Sequence, residues 1–93
     1  MNLYWVTTED HAKDWFVAAN NAEEATTFHA ILNWYELDLV NTEITLELPD
    51  DIIIDVGWPS VDELKAFGAN ILVNKFPRVI EIKGRRYFER LTT

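Results

Sequence analysis

The segment "RVIEIKGRRYFERL" (residues 78–91) decides how the C-terminal third of this chain folds. Two short runs rich in β-branched and aromatic residues flank Lys83-Gly84, a pair suited to a two-residue hairpin turn. Counting outward pairs Ile82 with Arg85, Glu81 with Arg86, Ile80 with Tyr87, Val79 with Phe88 and Arg78 with Glu89. Two of these pairs join opposite charges and two join apolar side chains. Such cross-strand pairs contribute roughly 0.2–1 kcal/mol each. A one-residue slip would lose that matching, so this register is expected.

The same segment sits at the positive end of an acidic chain. Residues 1–63 hold fourteen Asp/Glu and one cation, Lys13, a balance of -13. Residues 64–93 hold seven Lys/Arg and two Glu, a balance of +5, which brings the total to -8. Either the positive end meets the chain's own carboxylates, or it is open to an anionic partner. The hairpin pairing leaves Lys75, Lys83, Arg85 and Arg90 without local partners. The strand "TEITLEL" (residues 42–48) could lie beside the hairpin and supply Glu43 and Glu47.

Upstream, "NLYWVTT" and "WFVAA" read as a first hairpin joined by the polar stretch "EDHAKD". Trp5 and Trp15 are expected on one side of it, Tyr4 and Phe16 on the other, with both faces covered at least in part. A helix is expected over about residues 21–36, capped by Asn21, with Glu23 and Glu24 in its first turn. Its apolar stripe reads Ala25, Phe28, Leu32 and Tyr35, with Ile31 at the margin. In "TEITLEL", Ile44, Leu46 and Leu48 point one way and Glu43, Thr45 and Glu47 the other. Pro49-Asp50-Asp51 ends that strand, and "IIIDV" is ambiguous. Ser60 and Glu63 form a capping box for a short helix over residues 60–67 that buries Leu64 and Phe67 and stops at Gly68. "ANILV" adds a strand. The expected fold is a single α+β domain in the order ββαβαβββ, with a mostly antiparallel sheet of five or six strands and both helices on one face.

The residue census narrows the chemistry. The chain has no Cys, which removes disulfides and cysteine-ligated metal sites and fits a cytoplasmic location. No signal peptide or membrane span is visible. Ser60 is the one serine, and a cap explains it. Gly57, Gly68 and Gly84 are isolated, so no phosphate-binding loop is expected. Asp10, His11 and Asp14 are the best metal candidates, but Lys13 intrudes and a solvated hairpin tip accounts for them. His29 reads as a satisfied histidine at the edge of the helix stripe. No catalytic residue, metal site or cofactor is therefore expected.

Two binding readings remain, with a small enzyme lacking any motif as a third. The first is a non-catalytic acidic module for a protein partner with a basic surface, an inhibitor, antitoxin-like factor or accessory subunit. Its candidates are Glu23, Glu24, Glu43, Glu47, Asp50, Asp51 and Asp55. The second is nucleic-acid backbone binding through Lys83, Arg85, Arg86 and Arg90, with Tyr87 as a stacking aromatic. The acidic balance argues against the second reading. A homodimer, in which one copy's hairpin meets the acidic face of another, is a further route to charge closure.

Overall fold

Two aromatic strands form the centre of the structure, a computed structural model that describes residues 1–75 and 77–91. Strand β1 (Asn2–Thr8) pairs with β2 (Lys13–Ala19), and α1 (Ala22–Asn33) follows. A 3-10 turn (Leu37–Leu39) leads into β3 (Val40–Glu47). Then come α2 (Val61–Ala66), β4 (Asn70–Val73), β5 (Val79–Ile82), β6 (Arg85–Phe88) and a two-residue β7 (Arg90–Leu91). The fold is α+β and antiparallel, with the two expected helices. The strands divide into two sheets rather than one: β3-β1-β2-β7 and β4-β5-β6.

Both helices begin where their caps stand. The Asn21 side chain accepts from the Glu24 N–H at 2.8 Å. Ser60 and Glu63 complete a reciprocal capping box, with Ser60 N–H to Glu63 Oε1 at 2.8 Å. The α1 helix ends earlier than the stripe suggested, because Trp34 adopts a left-handed conformation with φ 64°. Ala25, His29 and Ala30 form its buried face, while Ile31 and Leu32 turn to solvent.

The central hairpin is covered on both faces. Its register places Trp5 opposite Phe16 and Val6 opposite Trp15. Directly opposed residues share a face, so the expected grouping of Trp5 with Trp15 is corrected. Leu3, Trp5 and Phe16 face Ile80, Ile82 and Tyr87 of the second sheet, with Leu64 of α2 in the same cluster. Tyr4, Val6, Trp15 and Val17 face Ala25 and Phe28 of α1. The helices therefore lie on opposite sides of the central hairpin, not on one face. The reason is that β1 and β2 are apolar at consecutive positions, so each side needs its own cover. Fully burying a side chain such as Phe16 or Leu64 contributes roughly 1.5–3 kcal/mol.

Strand β3 departs from clean alternation. Leu3 pairs with Leu46, but Tyr4 pairs with Ile44, so Thr45 is an extra residue in a bulge. The bulge changes phase. Leu46 and Leu48 pack into the core shared by the sheets, whereas Ile44 is exposed on the other phase. Glu43, opposite Trp5, is thereby aimed toward the second sheet. The ambiguous "IIIDV" forms no strand; Ile54 and Val56 each touch one core, and Gly57 makes an isolated bridge to Ala18.

Candidate functional site

The C-terminal hairpin has the expected pairs, Ile82 with Arg85, Glu81 with Arg86, Ile80 with Tyr87 and Val79 with Phe88. Lys83 and Gly84 occupy the turn with φ 52° and 79°, the pattern of a type I′ hairpin. Its arginines meet carboxylates of the same chain. Arg78 and Glu89, 8% and 2% exposed, form a two-pronged ion pair: Nε donates to Oε1, and Nη2 to Oε2 at 2.8 Å. Arg85 Nη1 reaches Glu43 Oε1 at 2.6 Å, and its guanidinium lies 4.7 Å from the Tyr87 ring centroid. Arg86 lies 4.0 Å from Glu81, and Arg90 lies 3.9 Å from Asp14. Lys83 is exposed at the turn.

The acidic candidates do not form one group. Glu24 is engaged at the helix start, where its Oε1 accepts from the Asn20 N–H and side-chain amide, each at 2.9 Å. Glu43 is held by Arg85. Glu23, Glu47, Asp50, Asp51 and Asp55 are exposed. Glu23 and Glu24 border a 480 Å³ cleft whose far wall includes Val56, next to Asp55 in the chain.

The turn between β1 and β2 is more ordered than a solvated tip. Asp14 is buried; its Oδ1 accepts from the Thr8 N–H at 3.0 Å, and its Oδ2 lies 2.8 Å from His11 Nδ1. Asp10 accepts from the Ala12 N–H at 3.0 Å, the Thr8 hydroxyl at 2.8 Å and the Tyr35 hydroxyl at 2.8 Å and 2.9 Å. The Ala12 N–H, followed by the two hydroxyls, holds the Asp10 carboxyl below its ordinary range. Burial, then the bond to Asp10, raises the Tyr35 hydroxyl. This network braces the turn from which β1 and β2 run, in the register that puts Trp5 and Trp15 on opposite faces. Among the described residues, no group of three or more His, Asp or Glu side chains is arranged to hold a metal ion.

His29 is fully buried rather than at an edge. Its Nε2–H donates to the Lys13 carbonyl at 2.7 Å, and Nδ1 has no hydrogen-bond partner among the described residues. Its ring stands edge-on to Trp15, with centroids 5.3 Å apart. Desolvation lowers its pKa, outweighing the Lys13 carbonyl and the Asp14 charge. A cavity of 540 Å³ lies beside this aromatic group, lined by Trp15, Trp58, Pro59, Ser60, Arg78 and Leu91.

One feature of the surface escaped the sequence reading. Ile31, Trp34 and Leu37 are 65%, 95% and 55% exposed at the end of α1 and the turn after it. The available signal was an excess of apolar residues over 31–39, more than one helical stripe can bury.

Comparison with known proteins finds no matching family model, no significantly similar curated protein and no significantly similar solved structure. No described helix is long and apolar enough to cross a membrane.

Proposed function

We propose that this chain is a non-catalytic binding module for a protein partner with a basic surface, an inhibitor, antitoxin-like factor or accessory subunit. One observation carries the reading: Arg78, Arg85, Arg86 and Arg90 each lie within 4.0 Å of a carboxylate of the same chain. These arginines are thus matched by internal charge, while Arg85, Arg86 and Arg90 stay more than half exposed and Lys65, Lys75 and Lys83 face solvent. Glu23, Glu47, Asp50, Asp51 and Asp55 remain exposed, and the surplus charge offered to a partner is negative. An acidic surface steers cationic partners and repels phosphate backbones.

The test is a paired titration with a fluorescent lysine- and arginine-rich peptide and a fluorescent single-stranded oligonucleotide, each over a range of salt. The peptide is expected to bind at low salt and to be released as salt rises. Glu23→Gln with Asp55→Asn should weaken it. Retention of the oligonucleotide, lost on Arg85→Ala with Arg86→Ala, would overturn the reading in favour of nucleic-acid binding.

A further inference from the structure

Trp34 combines two features that folding alone disfavours. It closes α1 in the left-handed region at φ 64°, where a residue bearing a Cβ is strained. Its indole is also 95% exposed, whereas Trp5 and Trp15 are buried. Glycine fits such a helix end without strain. The chain instead holds a large apolar side chain in water.

The neighbourhood continues the pattern. Ile31 precedes Trp34 by one helical turn, and Leu37 follows in the 3-10 turn; both are more than half exposed. The segment is fixed in place. The Tyr35 N–H donates to the Ala30 carbonyl at 2.9 Å, and the Glu9 N–H donates to the Leu39 carbonyl at 2.8 Å. The Tyr35 hydroxyl is tied to Asp10. Apolar side chains on a pre-ordered loop lose little freedom on binding. The charges of the segment itself are acidic, Glu36 and Asp38, and Glu9 lies on the turn bonded to it; all three are exposed. In the sequence no Lys or Arg occurs between Lys13 and Lys65. An apolar centre with an acidic margin complements apolar anchors flanked by cations, and it disfavours phosphate. A second copy fits less well, because its arginines already meet its own carboxylates.

We propose that Ile31, Trp34 and Leu37 form a docking surface for a lysine- or arginine-rich amphipathic segment of another protein, whose cations meet Glu9, Glu36 and Asp38. This rests on the protein-binding reading above and assigns it a place.

The test uses the full chain and a synthetic amphipathic lysine–leucine peptide. Wild type should bind it with a blue shift in tryptophan emission as Trp34 leaves water. Trp34→Gly should weaken binding at least about tenfold, as truncating an aromatic hot spot does, without lowering the thermal midpoint. Glu36→Gln with Asp38→Asn should weaken binding at low salt only. A lowered midpoint in Trp34→Gly would mean a structural role and overturn the proposal. Equal binding by wild type and Trp34→Gly would overturn this surface; if Glu23→Gln with Asp55→Asn then weakens the peptide, the broader reading stands. Failure to bind any basic peptide overturns both. Self-association that disappears in Trp34→Gly would assign the surface to a second copy, and retention on anionic vesicles to a membrane; either overturns the proposal.

Discussion

Arg85 on β6 reaches Glu43 on β3, Nη1 to Oε1 at 2.6 Å, and so ties the hairpin of one sheet to the edge strand of the other. The bulge at Thr45 places Glu43 on the side of β3 that faces Arg85. The two side chains are 59% and 44% exposed, so solvent screens the attraction. A double-mutant cycle with Arg85→Ala and Glu43→Gln should give a coupling of about 0–1 kcal/mol in urea unfolding, shrinking as salt rises. A coupling well above that range would mean the pair is more enclosed than its exposure indicates.

Arg78 and Glu89 should behave differently, because both are buried. Glu89→Gln or Arg78→Met leaves one buried charge without its counter-ion and should cost about 3–5 kcal/mol. That is a large part of the roughly 5–15 kcal/mol by which small domains are stable. Arg78→Met with Glu89→Leu should be less damaging than either single change, since no lone charge remains. Urea midpoints of the three variants check this ordering.

The Lys83-Gly84 turn predicts two opposite effects. Gly84 has φ 79°, so Gly84→Val should destabilise the chain by about 1–2 kcal/mol through backbone strain. Lys83 has φ 52°, a region that asparagine enters more easily. Lys83→Asn should therefore raise the urea midpoint, and a lowered one would mean the lysine side chain has a role of its own.

His29 makes stability depend on pH. Burial lowers its folded-state pKa below the ordinary 6.5, so the unfolded chain binds the proton more readily. Its contribution is full above about pH 6.5 and is lost as pH falls through the lower, folded value. His29→Gln should flatten the stability profile between about pH 7 and 5, where an ordinary histidine titrates. Unfolding curves of both proteins across that window measure the difference; parallel profiles would show that His29 takes up its proton equally in the folded and unfolded states.

Local rules made part of this structure readable in advance. Asn21 and Ser60 mark their helix starts because a cap acts within three residues of its own position. The last hairpin keeps its register because the turn and four cross-strand pairs lie within ten residues, 79–88. The acidic site candidates were legible only as charges. Whether Glu43 was open or held depended on Arg85, forty-two positions away.

The sequence by itself determined the helix caps, the antiparallel α+β class, the Lys83-Gly84 turn and the polarity of charge. Tertiary structure alone decided the rest. The register of β1 against β2 put Trp5 and Trp15 on opposite faces of the first hairpin. The Thr45 bulge reversed the phase of β3, and packing on two faces split the strands into two sheets. Packing also buried His29 and left Trp34 in water, although both belong to one apolar-rich helix end. The physical reason is that periodicity fixes only spacing along one element. Which side is covered depends on surfaces brought there by distant parts of the chain.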